Sequence, residues 1–218
     1  MPDIILPGSA GRIEARYQRQ KAPGAPMALV LHPHPQFGGT MNNPLVYDLF
    51  HMFHGLGCTT VRFNFRGVGR SQGTFDNGSG ELSDAAAVLD WMNTLYPNPS
   101  NVWVCGISFG AWIGMQLLMR RPEITGFVST APPASMYDFA FLAPCPASGL
   151  IVHGTKDNVV PEADVQKLVD RLTAQKGIKI TYNKVEGANH FFDKHEADVV
   201  ETVKEYVSNM MSKPREGR

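Results

Sequence analysis

The chain has few cysteines, no excess of either charge and no long apolar run. Its 218 residues include three cysteines, Cys58, Cys105 and Cys145, and none of them forms a CxxC pair, so neither a disulfide framework nor a cysteine metal site is indicated. Lysine and arginine total 20 against 20 for aspartate and glutamate, which gives no electrostatic reason to expect nucleic acid or an anionic membrane as a partner. No stretch approaches the roughly 20 apolar residues of a membrane span.

The beginning of the chain also lacks the features of a secretory signal. Residues 1–15 contain no basic start followed by an apolar run. Free thiols in or beside apolar strands are typical of a reducing compartment, so a cytoplasmic protein is predicted. With 43% hydrophobic residues and no linker-like stretch, residues 1–218 are expected to form one domain with a frayed tail at about 212–218.

Short apolar segments alternate with helical segments along most of the chain. The predicted strands are 3–6, 12–18, 27–31, 59–65, 101–105, 126–130, 149–153 and 179–184. The predicted helices start at Pro44, Ser79, Phe109, Pro161 and Lys194. This alternation predicts a three-layer α/β/α fold, in which helices cover both faces of a mostly parallel sheet. Ligands of such sheets bind beyond the carboxyl ends of the strands.

The segment Val102-Trp-Val-Cys-Gly-Ile-Ser-Phe-Gly-Ala111 carries the strongest functional signal. A buried strand leads into Gly106-x-Ser108-x-Gly110, and a helical pattern follows, which is the context of a serine nucleophile at a strand-to-helix turn. The same five-residue pattern occurs at Gly69-x-Ser71-x-Gly73. Turn residues follow Ser71 and no helical period is present, so Ser71 is predicted to be a loop residue and Ser108 the nucleophile.

A serine hydroxyl needs a base within hydrogen-bond reach, and the base needs an acid that fixes its tautomer. In the chain order Ser, Asp, His, these partners should follow later strands. Asp157 follows the strand that ends at His153, and His190 follows the strand that ends at Lys184. The sequence therefore predicts catalysis by Ser108, His190 and Asp157.

The other histidines and aspartates have weaker positions. His195 begins a polar helix, and His51 and His54 lie on the first helix without a carboxylate in a metal-binding frame, so surface roles are expected. His153, before Gly154, is expected to be a hydrogen-bonded core histidine. The rival aspartates fall on or beside helices, where solvated or capping roles are expected: Asp164, Asp170 and Asp193.

Two histidines, His32 and His34, follow the strand that ends at Leu31 and could in principle bind zinc. No further His, Asp or Glu cluster lies at short range, so no metal and no cofactor are expected. The loop is instead interpreted as half of an oxyanion hole. The backbone N–H of Phe109 should be one donor, and that of Gln36, or alternatively Phe37, the second.

Together, the GISFG, HGTKD and GANHFF segments resemble the α/β-hydrolase superfamily. With the HPHPQFGGTMNN and RFNFRGVGRSQG segments, nearly the whole chain is similar to a bacterial branch of small, lidless hydrolases related to dienelactone-hydrolase-like proteins. The resemblance implies an eight-stranded sheet whose second strand is antiparallel, and a triad of Ser108, His190 and Asp157. The nucleophile departs from that of dienelactone hydrolase itself, which is cysteine.

Only a short segment, Ala131 to Ser148, stands where a cap domain is usually inserted. Its Met136, Tyr137 and Phe139 could line an apolar substrate pocket, or the segment could simply pack over the sheet. The sequence therefore predicts a serine hydrolase for small or medium ester-type substrates. A thioesterase or acylpeptidase with the same triad, a non-enzymatic binding protein and a metallo-hydrolase are the alternatives, and a homodimer is possible.

Overall fold

Eight strands form one mixed sheet in the computed structural model, which describes residues 3–212. The strands are β1 (Asp3–Gly8), β2 (Gly11–Gln18), β3 (Met27–Leu31), β4 (Thr59–Phe63), β5 (Val102–Ile107), β6 (Gly126–Thr130), β7 (Gly149–Gly154) and β8 (Ile180–Val185). Their order across the sheet is β1-β2-β4-β3-β5-β6-β7-β8. β2 runs antiparallel to both of its neighbours, β1 and β4, and the other neighbouring pairs are parallel, which confirms the antiparallel second strand that the resemblance implied.

Five α-helices in the described part of the chain cover the two faces of this sheet. They are α1 (Pro44–Gly55), α2 (Ser79–Leu95), α3 (Phe109–Leu118), α4 (Glu162–Thr173) and α5 (Glu196–Met211). The apolar faces of α1 and α5 belong to the same buried cluster as Ala28 and Val30 of β3, whereas those of α2, α3 and α4 belong to the cluster that contains Met27, Leu29 and Leu31. Because successive side chains of β3 point to opposite faces, one strand serves both cores. The predicted three-layer α/β/α fold is confirmed.

Two element boundaries differ from the sequence prediction for identifiable reasons. The strand predicted to reach Phe65 ends at Phe63, because the Phe65 N–H donates to the Nε2 atom of His32 at 3.0 Å instead of joining the sheet ladder. The last helix begins at Glu196 rather than Lys194, because Lys194 has a left-handed backbone with φ of 67°.

The segment between β6 and β7, residues 131–148, contains no helix or strand. The carboxyl edge of the sheet therefore has no cap inserted at this position, as the sequence predicted. Within residues 3–212, no helix is both long and apolar enough to cross a membrane. Ser212 is the last residue described, so the rest of the predicted frayed tail, residues 213–218, lies outside the described residues.

All three cysteines are buried free thiols, as the sequence predicted: Cys58, Cys105 and Cys145. Burial raises the pKa of the Cys58 thiol to about 12 and also raises that of Cys105. These thiols are therefore protonated at neutral pH and act as small core side chains.

The turn from β5 to α3 depends on two positions that have no Cβ atom. A Cβ placed on Gly110 would lie 2.5 Å from the carbonyl oxygens of both Leu31 and His32, and one placed on Gly106 would lie 2.2 Å from the carbonyl oxygen of Gly110. These neighbours are backbone atoms that cannot move aside without displacing a strand. Glycine at both positions thus allows α3 to approach β3 and β5 closely.

Replacement of Gly110 by alanine should therefore destabilise the fold, although alanine is the better helix former. We expect Gly110→Ala to lower the free energy of unfolding by roughly 3 kcal/mol, the range typical of overpacking. Gly55→Ala is the matched control, since a Cβ there meets no atom within 4 Å, and it should be neutral or slightly stabilising. Urea unfolding of the two variants checks this, and equal midpoints would contradict it.

Candidate active site

Ser108 lies between the end of β5 and the first residue of α3, at the carboxyl edge of the sheet. Its backbone angles, φ of 52° and ψ of −117°, are strained for a residue with a side chain. The Ser108 N–H donates to the carbonyl oxygen of Thr130 at 2.8 Å, and the Ser108 carbonyl accepts the Ala111 N–H at 2.8 Å. Hydrogen bonds to β6 and to the first turn of α3 thus hold the strained residue from both sides.

The second match to the same sequence pattern has a different structure. Ser71 is buried in the loop between β4 and α2, where its Oγ donates to the carbonyl oxygen of Asn64 at 2.6 Å. The same Oγ accepts the N–H of Glu14 at 2.9 Å. Ser71 is therefore a loop residue, as predicted, and its hydroxyl joins the loop to β2.

Three side chains from separate loops form one hydrogen-bonded line. The His190 Nε2 atom lies 2.9 Å from Ser108 Oγ, and the His190 Nδ1 atom lies 2.7 Å from Asp157 Oδ2. Because an ionised carboxylate only accepts hydrogen bonds, the imidazole carries its proton on Nδ1 and offers the Nε2 lone pair to the serine hydroxyl. The structure thus brings together the nucleophile, base and acid that the sequence predicted.

Asp157 is held by both of its carboxylate oxygens. Its Oδ1 accepts the N–H groups of Val159 and Val160 at 2.8 Å each, while its Oδ2 faces His190. Burial raises the pKa of the carboxyl group, but the hydrogen bonds from His190 and the two amides outweigh this effect and lower it overall. Asp157 therefore stays ionised at neutral pH and can stabilise a positive charge on His190.

The loop that carries His190 is tied to the loop that carries Asp157. The Lys156 N–H donates to the Ala188 carbonyl at 2.9 Å, and the Gly187 N–H donates to Thr155 Oγ1 at 2.9 Å. Within the turn, the Asn189 Oδ1 atom accepts the N–H of Phe191 at 3.1 Å. These bonds fix the two loops relative to each other, and with them the distance between acid and base.

The rival histidines on helices lie outside this line. His195 Nδ1 pairs with Asp198 Oδ2 at 3.0 Å, and His54 Nδ1 contacts Gln20 Nε2 at 3.1 Å. His51 stacks on Tyr47, with ring centroids 4.4 Å apart. His51 and His54 are partly buried, not fully solvated as a surface role implies.

The rival aspartates pair with side chains on or beside helices. Asp164 accepts from Lys167 and Asp170 from Gln166 on α4, and Asp193 accepts from Asn189. Asp157 differs from them because it is hydrogen-bonded to the histidine that contacts Ser108.

Both ring nitrogens of His32 have backbone partners. Nδ1 lies 2.6 Å from the Pro33 carbonyl oxygen, and Nε2 accepts the Phe65 N–H at 3.0 Å, so the proton sits on Nδ1. Burial lowers the pKa of His32 to about 4, which keeps the ring neutral. Within residues 3–212, no group of three or more His, Cys, Asp or Glu side chains is arranged to hold a metal ion.

The amides that the sequence predicted as the second oxyanion donor already have partners. The Gln36 N–H donates to His34 Nδ1 at 3.2 Å, and the Phe37 N–H donates to the His34 carbonyl at 3.1 Å, within the 3₁₀ turn Pro35–Phe37. The His34 N–H has no hydrogen-bond partner among the described residues. At the other side of the site, Phe109 is the first residue of α3, so its N–H has no intrahelical acceptor.

The three predicted pocket residues lie in different environments. Tyr137 stacks on Trp112 with ring centroids 4.3 Å apart and contacts the Phe109 ring at 5.9 Å, next to Ser108. Met136 is exposed, whereas Phe139 is buried in the core. Phe139 therefore packs in the core, whereas Met136 faces solvent, and a pocket role for Met136 and Tyr137 stays a prediction.

An exposed apolar rim lies at the carboxyl edge of the sheet, the edge that also carries Ser108, His190 and Asp157. It consists of four residues that are 42–77% exposed and follow four different strands at the carboxyl edge: Phe37, Met136, Val159 and Phe191. The rim reaches the site through neighbouring groups, since Phe191 contacts the His190 ring at 5.3 Å and the Val159 N–H binds Asp157. Two of its four members thus adjoin His190 and Asp157.

Comparison with known sequences gives two family matches. The model of the X-Pro dipeptidyl-peptidase (S15) family matches residues 12–145, which is more than half of the chain. The model of the prolyl oligopeptidase family matches residues 129–213.

Comparison with solved structures agrees with these matches. A protein of unknown function from Agrobacterium tumefaciens with an α/β-hydrolase assignment is 58% identical, with a TM-score of 0.95, and the alignment covers 96% of each chain. An α/β serine hydrolase homologue from Coxiella burnetii is 35% identical, with a TM-score of 0.86, over 94% of this chain and 97% of that one. An α/β serine hydrolase without a lid from Xanthomonas campestris is 29% identical, with a TM-score of 0.88, over 98% and 96%.

The buried, neutral His32 predicts that stability falls as the pH is lowered. Its folded-state pKa of about 4 lies below the ordinary 6.5, so its full contribution is present above pH 6.5 and is lost as the pH falls towards 4. The loss should reach up to about 3 kcal/mol in the free energy of unfolding. Denaturant titrations of His32→Gln should show a shallower pH dependence, whereas those of the surface control His195→Gln should match the wild type. An unchanged slope in His32→Gln would contradict the prediction.

Proposed function

We propose that this chain, a serine hydrolase that belongs to the α/β-hydrolase superfamily and to the family that the S15 model describes, cleaves ester-type acyl bonds at Ser108. The observation that carries the proposal is the continuous hydrogen-bonded line from Ser108 Oγ through His190 to Asp157, at 2.9 and 2.7 Å. A hydroxyl at a strained turn, a base with a free lone pair and an ionised acid are the parts that acyl transfer needs.

The reaction proceeds in two halves. His190 Nε2 takes the proton of the Ser108 hydroxyl as Oγ attacks the substrate carbonyl, and the protonated His190 then gives that proton to the departing alcohol oxygen. The acyl group is now an ester of Ser108. In the second half, His190 takes a proton from a water molecule that attacks this ester, and returns it to Ser108 Oγ as the carboxylic acid leaves. Asp157 stays ionised and stabilises the imidazolium in both halves.

The negative oxygen of each tetrahedral intermediate needs two converging donors. We assign one to the Phe109 N–H at the start of α3. For the second, the His34 N–H is a better candidate than Gln36 or Phe37, because those two amides already donate inside the 3₁₀ turn. The sheet register supports this choice: Leu31 lies opposite Gly106 in the parallel pair, so residues three positions beyond each, His34 and Phe109, come together. Their rings are in contact at 4.8 Å.

The substrate that fits this site is a small or medium, uncharged ester. No cap is inserted between β6 and β7, and the apolar rim of Phe37, Met136, Val159 and Phe191 is exposed at the carboxyl edge, where Ser108 also lies. Apolar side chains around a reactive centre favour an apolar acyl or alcohol group over a charged one. Met136 and Tyr137 remain candidates for substrate contacts, whereas Phe139 is buried away from the opening.

An amide bond is the second candidate, since both matching family models carry peptidase names. The same serine attack applies, but His190 must then protonate an amine, which is a poorer leaving group than a phenol. Thioesters would react by the same route. Comparison of kcat/KM for an ester, a thioester and an anilide of one acyl group separates these three activities.

Removal of the Ser108 hydroxyl should abolish turnover without loss of the fold. We expect Ser108→Ala to retain less than about one part in 10³ of the wild-type kcat on short p-nitrophenyl esters. A fluorophosphonate probe should add its mass to Ser108 in the wild type and nowhere in the variant.

The matched control is the serine of the second sequence match. Ser71→Ala loses two buried hydrogen bonds and should cost about 1–3 kcal/mol of stability, yet it should keep the wild-type kcat and the label. Wild-type turnover in Ser108→Ala, or labelling of Ser71, would overturn the assignment.

The second oxyanion donor can be tested by removing a single backbone N–H. His34 has φ of −56°, which proline also adopts. Relative to His34→Ala, which keeps the N–H, His34→Pro should lower kcat roughly 100-fold with a similar melting temperature. If Gln36→Pro causes this loss and His34→Pro does not, the donor is Gln36.

A further inference from the structure

His153 is a buried titratable side chain beside the acid, and the proposed chemistry does not use it. It lies in β7, fully buried, four residues before Asp157. Its Nε2 atom is 3.1 Å from the carbonyl oxygen of Val160 and 3.6 Å from Asp157 Oδ2. Its Nδ1 atom is buried and has no partner among the described residues.

These contacts define the protonation state of the ring. A carbonyl oxygen only accepts, so Nε2 carries the proton and donates it to Val160. A second proton would sit on Nδ1 as a buried donor without an acceptor, which is unfavourable. Burial lowers the pKa of His153, and the pull of Asp157 and of the Val160 carbonyl in the other direction does not overcome this effect.

The backbone of a single residue, Val160, links the His153 ring to the hydrogen-bonded line of Ser108, His190 and Asp157. Val160 is fully buried; its carbonyl accepts from His153, and its N–H donates to Asp157 Oδ1 at 2.8 Å. The other oxygen of Asp157 binds His190. The position of the Asp157 carboxylate is therefore fixed through Val160 by a ring that touches neither the serine nor the opening of the site.

The charge on the His153 ring affects how strongly the Asp157 carboxylate supports His190. The charged or titratable groups that face it are Asp157, His190 and Glu162. An imidazolium 3.6 Å from Asp157 would compete with His190 for the negative charge and make His190 a weaker base. When the His153 ring is neutral, the negative charge of Asp157 stabilises a positive charge on His190 and not one on His153.

We propose that His153 is a positioning residue whose Nε2–H group holds Val160, and through it Asp157, in the orientation that supports His190. The inference rests on the proposed function of Ser108, His190 and Asp157. It adds a fourth side chain whose role is transmitted through a backbone peptide and not through contact with substrate.

The test compares His153→Phe, which keeps a ring but loses the donor, with His153→Gln, whose Nε2 can still donate to Val160. Active sites are counted by fluorophosphonate labelling, so kcat is expressed per folded, reactive site. We expect His153→Phe to lower kcat roughly 10- to 100-fold with little change in KM. The acid limb of its kcat/KM profile should move to lower pH, because a less well supported His190 is a weaker base. His153→Gln should recover most of both effects.

A purely structural role predicts something different, namely reduced stability of His153→Phe with wild-type kcat and pH profile per labelled site. That result would overturn the inference while leaving the function of Ser108 intact. Turnover that survives in Ser108→Ala would instead overturn the proposed function.

A measurement on the wild type covers the case in which His153→Phe does not fold. Nitrogen-15 NMR of the imidazoles should show His153 as the Nε2–H tautomer, with a protonation midpoint below that of an ordinary histidine. Titration with an ordinary histidine midpoint, or the Nδ1–H tautomer, would overturn the inference.

Discussion

The close approach of α3 to the ends of β3 and β5 is the constraint on which the site depends. It places the amino end of a helix directly behind Ser108 and forces the serine into a backbone conformation that a side chain adopts only under strain. Gly106 and Gly110 make the approach possible, because a Cβ at either position would overlap backbone atoms. The same contact brings the loop after β3 beside Phe109, so the geometry of Ser108 and that of the two proposed oxyanion donors have one origin.

The other two side chains of the line, Asp157 and His190, lie in the loops after β7 and β8 of the same parallel sheet. β6, β7 and β8 follow β5 in order across the sheet, so their loops open on the same edge as Ser108. The loops after β7 and β8 are hydrogen-bonded to each other, which sets the separation of Asp157 and His190. Ser108, directly after β5, can therefore meet Asp157 and His190, which are far away in sequence, because adjacent parallel strands end at the same edge.

The sequence allowed the fold, and the meeting of Ser108, His190 and Asp157 at one edge of the sheet, to be predicted, because both follow from periodicity and strand order. It did not allow the hydrogen bonds inside the loops to be predicted, since these depend on tertiary contacts. The Gln36 amide looked available, but the His34 ring accepts from it. Phe139 looked like a pocket residue, yet it is buried in the core. His153 was expected to be a hydrogen-bonded core histidine; its place beside Asp157 was signalled only by the four-residue spacing.

His32, His153 and His190 lie at or beyond the carboxyl ends of three strands, and they have two different roles. His32 and His153 are buried, have low pKa values and bind backbone groups, so each acts as a neutral tie that fixes a loop. His190 instead binds a carboxylate on one side and a hydroxyl on the other. Backbone partners do not change charge during a reaction, whereas a carboxylate stabilises an imidazolium that forms transiently. The partners of each ring, and not its burial, therefore distinguish the histidine that can move a proton from the two that hold the loops in place.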